Sequence, residues 1–306
     1  MTNYQEQPLL FGSDARLMGV MAQPSEGIAP SGVGCLMFNF GITHRVGPRR
    51  IQVKLARRLA QQGVPSLRFD LSGLGDSRAP GSGRSFDEQA IDDVRQAIDE
   101  LQARAGVREV VICGLCSGVG HGLQVALKDS RVTGLLSFDG FAFTGLGTRL
   151  QRRLQRFMKY PGQQIQRWAK VMLGMDRPGG DLLLNGESAK VVTADDFRRS
   201  MDTLVARGVA VYLIYSGTVQ TRDRTHDQLH ALRGSAFLDK VRYEYMPQVD
   251  HSFTEIAGQA GFLDAACRWV GEIEARTLEQ QTQPVPTPPQ AAPPPAAVRP
   301  PLAAVF

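Results

Sequence analysis

The chain has 306 residues, 42% hydrophobic and 21% charged, with a formal net charge of +5. These values suit one large globular domain or two modest ones, and the small basic excess lacks the dense Lys/Arg block interleaved with aromatics that nucleic-acid binding calls for. Four cysteines without framework spacing exclude a disulfide-stapled scaffold, no apolar run reaches the roughly 18 residues of a membrane span, and the N-terminus lacks the basic-then-apolar pattern of a secretion signal. A cytoplasmic protein with neither a nucleic-acid nor a membrane partner is expected.

In chain order, the apolar run at 34–40 (GCLMFNF) predicts a strand ending in a glycine-containing loop. At 49–62, Ile51, Leu55, Ala56 and Leu59 share one helical face, Pro48 stands where helix starts tolerate it, and Gly63 stops the helix. A strand at 64–69 ends at Asp70. Ser85 and Glu88 form a capping box for a helix that turns Ile91, Val94, Ile98 and Leu101 inward. Strands follow at 109–113, 132–138, 210–215 and 241–246, with a helix from about Ser117 and a long one over 257–276.

Strand alternating with helix predicts an α/β fold, a mostly parallel central sheet with helices on both faces. The arginine-rich interval 141–208 breaks the rhythm and reads as an inserted helical cap, leaving 1–140 and 209–279 as the core. The tail 280–306 holds nine of the 18 prolines and reads as a disordered, Pro/Ala-rich segment.

Chemistry concentrates at Gly114-Leu115-Cys116-Ser117-Gly118, placed directly after an apolar strand and before a helix. This is the G-x-S-x-G nucleophile elbow with cysteine at its centre: the nucleophile sits on a tight strand-to-helix turn where side chains two residues either side would collide with backbone. The helix N-terminus favours a thiolate and an oxyanion. Two other readings are weaker. With Ser117 as nucleophile the glycines would flank the wrong position, and a Cys113-x-x-Cys116 dithiol would draw one thiol from a buried strand. Cys35, Cys113 and Cys267 read as small buried hydrophobes.

An elbow nucleophile needs a histidine after the last strand, and among His44, His121, His226, His230 and His251 only His251 stands there. Two acids compete: Asp139, at the end of strand 132–138, is preferred, and Asp223, in the loop after strand 210–215, is the alternative. Asp250 reads as a loop-fixing residue. The oxyanion hole is expected from the N–H of Ser117 and one from the loop after the first central strand, at Gly41 or Ile42. His44, Arg45 and His121 are candidates for binding substrate, with Arg49 near the first two. His226 and His230, four apart, read as a surface helix face, so neither a metal nor a cofactor is expected.

These residues carry a resemblance. Across about 8–278 the chain resembles the α/β-hydrolase superfamily. The segment RVGPRRIQVKLARRLAQQGVPSLRFDLSGLGDS, with GLCSG and DHSF, is similar to small hydrolases associated with exosortase and exopolysaccharide gene clusters, which also look cysteine-centred. The Cys-His-Asp arrangement is similar to dienelactone hydrolase and polyhydroxyalkanoate synthase. The chain departs from the commonest pattern where Asn39-Phe40-Gly41 replaces His-Gly, and in the displaced acid. The resemblance implies an α/β-hydrolase fold and a Cys116 thioester acyl-enzyme. A small-molecule ester or thioester is the expected substrate, and the arginines of the cap suggest coenzyme A or a carrier protein as bearer of the acyl group. Alternatives are an acyltransferase and a non-catalytic binding protein on the same fold.

Overall fold

The computed structural model describes residues 3–81, 83–145, 192–218 and 227–282. Eight strands form one sheet: β1 (Tyr4–Phe11), β2 (Leu17–Pro24), β3 (Val33–Met37), β4 (Ser66–Phe69), β5 (Glu109–Leu115), β6 (Val132–Phe138), β7 (Ala210–Ser216) and β8 (Arg242–Met246). The order is β1-β2-β4-β3-β5-β6-β7-β8. β2 runs antiparallel to both its neighbours, and β3 to β8 are parallel.

Helices α1 (Ile51–Gln61), α2 (Phe86–Ala105), α3 (Gly118–Lys128), α4 (Ala194–Ala206) and α5 (Ile256–Thr282) cover the sheet. Successive strand residues point to opposite faces, so Ile112, Leu135 and Leu213 join one core with α2, α3 and α4, while Val111, Leu136 and Ile214 join another with α1 and α5. That two-sided burial is why the central strands read as unbroken apolar runs. The capping box starts α2 as expected: the Ser85 hydroxyl accepts the Glu88 amide, and the Glu88 carboxylate accepts the Ser85 amide.

Three differences from the sequence reading have physical causes. β1 and β2 were not anticipated, because β1 carries Pro8 and leaves most of its side chains half-exposed or exposed on the sheet edge, which blurs any alternation. Strand 34–40 stops at Met37, because Asn39 turns its side chain into a loop network described below. Most of the expected cap lies outside the described residues (146–191), but its last part does not cap: α4 buries Phe197, Met201 and Leu204 against the sheet as the crossover between β6 and β7. The tail from 283 onward also lies outside the described residues. No helix among the described residues is long and apolar enough to cross a membrane.

After β3 the chain steps to β4 on one side, and β5 lies on the other. This makes the carboxyl ends of β3 and β5 a topological switch point, the usual ligand position in such sheets. Residues 114–118 turn at this point.

Candidate active site

Cys116 has φ of +53°, left-handed backbone that a side chain rarely adopts. The surroundings impose it. The Cys116 amide donates to the Phe138 carbonyl at 2.9 Å, and α3 begins two residues later. A Cβ on Gly114 would lie 2.8 Å from the Val119 Cα, and one on Gly118 would lie 3.0 Å from the Asn39 carbonyl oxygen. Both glycines are therefore spacers that let the helix fold back onto the strand and onto the loop after β3. Asp139 and Phe253 are left-handed as well, and such strained residues cluster at functional sites.

β6 ends at Phe138, and Asp139 follows at the same end of the sheet. Its carboxylate accepts the Ser216 amide at 2.7 Å and the Ser216 hydroxyl at 2.6 Å, and its Oδ2 lies 2.7 Å from His251 Nδ1. The Asp139 side chain is 2% exposed and that of His251 30%. Cys116 lies near enough to the imidazole to act on its charge as well. The bond to Asp139, then the interaction with Cys116, pushes the His251 pKa up to about 10 against the opposing effect of burial. The rings of Phe40 and Phe138 flank it, with centroids at 4.9 and 6.4 Å. The structure thus brings together Cys116, His251 and Asp139. Asp223 lies outside the described residues, as does His226.

The loop carrying His251 is held on both sides. The His251 amide donates to the Thr218 hydroxyl at 2.8 Å. Asp250, read from sequence as loop-fixing, accepts the amides of Ser252 (2.9 Å) and Thr254 (2.6 Å). Partial burial pushes its carboxyl up, but these amides outweigh burial and hold it below its ordinary value.

On the opposite wall, the Gly41 amide points at the elbow and donates to the Ser117 hydroxyl at 3.1 Å. Ile42 directs its side chain to solvent and is 90% exposed. The loop is organised by buried Asn39 and Asp70. Asn39 donates to Asp70 (2.9 Å) and to the Thr43 carbonyl (3.0 Å) and accepts the Leu71 amide (2.6 Å). Asp70 further accepts the amides of Arg45 (2.7 Å) and Asp76 (3.1 Å). Asn39, Asp70, Ser216 and Thr218 were not singled out as site residues. Asn39 stood out only as a departure from His-Gly, and its amide satisfies three partners at once, which explains why a side chain with both donor and acceptor suits the position.

The expectation that Arg45 binds substrate is corrected. Its guanidinium is buried, ion-paired with Asp70, and 2.8 Å from Asp76. Two carboxylates already neutralise it, and a buried pair of this kind is costly to break. His44 is tied to the same group, 2.9 Å from Asp76. His44, Asp70 and Asp76 lie close enough to share a cation, but the Arg45 guanidinium occupies the space among them. His121 does not turn to the elbow either: it lies 3.0 Å from Asp87 and edge-on to Phe86, linking α3 to α2. Arg49 is exposed, and His230 lies against Gly145.

The remaining cysteines are buried. Cys35 and Cys113 lie 3.5 Å apart, sulfur to sulfur. Their hydrogen bond and burial push the Cys35 thiol well up, and burial pushes Cys267 up to about 12. Cys113 thus faces Cys35 within the core beneath the site, on the side of the sheet covered by α1 and α5, and a Cys113–Cys116 dithiol is not what the fold builds.

A mixed eight-stranded sheet with a strand-turn-helix elbow at its switch point defines an α/β hydrolase fold. The sequence matches the alpha/beta hydrolase family over residues 38–302, and the chain belongs to that family. Among solved structures it is similar to an esterase from Pyrococcus furiosus at 10% identity, with a TM-score of 0.52 and coverage of 88% of this chain and 90% of that one. It is also similar to a lidless α/β serine hydrolase from Xanthomonas campestris at 14% identity, with a TM-score of 0.50 and coverage of 88% and 96%. At these identities the likeness is one of fold. No curated protein matches the chain.

Proposed function

We propose that this protein is a cysteine-dependent acyl hydrolase that cleaves an ester or thioester through a thioester on Cys116. The observation that carries the reading is the pair of His251 and buried Asp139, 2.7 Å apart, set beside Cys116 on a left-handed elbow. A histidine that keeps its proton to about pH 10 suits a sulfur nucleophile better than a hydroxyl. It can stand beside the thiolate as an imidazolium, whereas a serine would need a neutral imidazole to take its proton.

In the first half-reaction the thiolate attacks the substrate carbonyl carbon, the C–S bond forms, and the carbonyl electron pair moves onto oxygen. The amides of Ser117 and Gly41 receive that oxyanion. Collapse breaks the bond to the leaving group, which takes its proton from His251. Water then gives a proton to the neutral imidazole and attacks the thioester carbon. The acid departs, and the sulfur returns as thiolate beside the imidazolium. Asp139 keeps the imidazole oriented with Nδ1 toward itself, so that Nε2 serves the reacting groups.

With a thiol or alcohol in place of water the same thioester would transfer its acyl group, the acyltransferase alternative. Stopped-flow kinetics with p-nitrophenyl acetate tests the reading. One equivalent of p-nitrophenol per chain is expected as a burst, lost in Cys116→Ala, and a thiol added at millimolar concentration distinguishes the acceptors by whether it speeds the phase after the burst. Release that is linear from the start and indifferent to Cys116 would contradict the proposal.

A further inference from the structure

Ser117 opens α3, yet its hydroxyl makes no capping bond to its own helix. A serine at a helix start ordinarily accepts an amide of the first turn. Here the hydroxyl reaches out of the helix and accepts the Gly41 amide at 3.1 Å, 76 residues away in sequence. Gly41 sits in a short turn closed by the Thr43 amide, which donates to the Phe40 carbonyl at 2.9 Å, and its own N–H has the Ser117 hydroxyl as partner. Gly41 has φ of +58°, a Cβ there would meet nothing within 4 Å, and the next side chain, Ile42, projects into solvent. The turn holds the ends of this segment, while the glycine between them, with no Cβ to restrict it, leaves the direction of the N–H to be set by the bond to Ser117.

We propose that the Ser117 side chain is a positioning residue: its hydroxyl latches the Gly41 peptide so that this N–H faces the carbonyl oxygen of a substrate attacked by Cys116. The inference rests on the acyl-transfer reading above and adds the device that keeps one wall of the oxyanion site preorganised. In the resting protein the amide is bound to a neutral hydroxyl on the elbow side. When an oxyanion forms there, the charged oxygen is the stronger acceptor and takes the same N–H without a peptide flip. Preorganised donors need no reorientation at the moment of reaction, which is the source of their catalytic value. Position 117 thus acts twice, through its backbone N–H as a donor and through its side chain as the latch on the second donor.

The test compares two reactions of the same sulfur in the full-length protein. Acylation by p-nitrophenyl acetate passes through an oxyanion. Alkylation by iodoacetamide forms the C–S bond as iodide leaves, and needs none. For Ser117→Ala, acylation is expected to fall about five- to tenfold, the worth of one ordinary hydrogen bond, with alkylation unchanged. Ser117→Thr, which keeps a hydroxyl, is expected to restore acylation to within about twofold, since the same bond is remade. Amide hydrogen exchange at Gly41, followed by NMR, should quicken in Ser117→Ala whatever the reaction.

Acylation by Ser117→Ala at the wild-type rate, or unchanged Gly41 exchange, would overturn the latch. So would a parallel fall of acylation and alkylation without rescue by threonine, because Ser117 would then shape the elbow as a whole. A wild type that is alkylated at Cys116 but never acylated would instead overturn the functional reading, and the positioning role with it. That outcome is distinguishable from a wild type and a Ser117→Ala variant that acylate equally well.

Discussion

Replacing His251 by alanine is expected to lower kcat/KM for an activated ester by about a thousandfold while leaving the fold intact. In the proposed reaction the imidazole has two tasks. It would provide the positive charge beside the Cys116 sulfur and supply the proton that the leaving group removes. Among the described residues nothing else is hydrogen-bonded to Asp139 from the side of the nucleophile: its other partners are the amide and hydroxyl of Ser216. The loss is smaller than for a serine triad, where removing the histidine costs about a millionfold, because thiols ionise far more easily than hydroxyls. Iodoacetamide labelling of Cys116 should slow in the variant, which lacks the imidazole beside the sulfur. The side chain is partly exposed and its loop is held by Asp250 and Thr218, so circular dichroism and thermal unfolding should change little. Turnover within about tenfold of wild type, a loss of under 1.4 kcal/mol in transition-state stabilisation, would remove His251 from the chemistry.

The second large effect is expected for Asp139→Asn. The carboxylate is the first cause of the raised His251 pKa, which stands at about 10. Without its charge that value should fall toward the ordinary 6.5, and an asparagine amide turned toward Nδ1 favours the wrong tautomer. Turnover at pH 7.5 should drop by about a hundredfold, less than in serine enzymes because the thiolate leans less on a third group. The sign for stability follows from the direction of the shift. A histidine with a raised pKa in the folded state contributes stability that is fully present below its unfolded value of about 6.5 and is lost as pH rises through about 10. Wild-type thermal stability should therefore decline over that alkaline interval relative to the variant. An NMR titration of the imidazole reads the same quantity directly, with a midpoint near 10 in the wild type and near neutrality in Asp139→Asn. Equal midpoints would show that Asp139 does not govern the histidine.

Much of this site is legible in the chain because its parts obey local rules. The elbow announces itself through Gly114 and Gly118, whose lack of a Cβ is demanded by contacts within a few residues and by the neighbouring loop. His251 follows from chain order, and Asp139 from its place at the end of a buried strand. What stayed hidden depends on residues distant in sequence. Asp70 reads as a polar residue ending a strand. Only the fold places it against Asn39, Arg45 and the Asp76 amide, where it ties the loops after β3 and β4 together. Arg45 misleads for the same reason: a positive charge beside an expected oxyanion loop suggests an anionic substrate, and nothing local reveals that two carboxylates already bind it. Ser216 is an unremarkable residue after an apolar strand until the neighbouring strand brings Asp139 alongside. The edge pair β1 and β2 escaped because an edge strand buries too little for its alternation to register, and α4 was taken for cap because its amphipathic face is the same whether it covers a ligand or a sheet.

The central claim, that Cys116 carries the acyl group, is tested most directly by locating that group. The protein is mixed briefly with an activated ester, quenched in acid, and read by intact mass spectrometry and peptide mapping. The expected result is one acyl group per chain, on Cys116, released by neutral hydroxylamine as a thioester should be, and not formed on the same timescale by His251→Ala. An acyl group on Ser117, on His251 or on a surface lysine, with Cys116 left free, would contradict it.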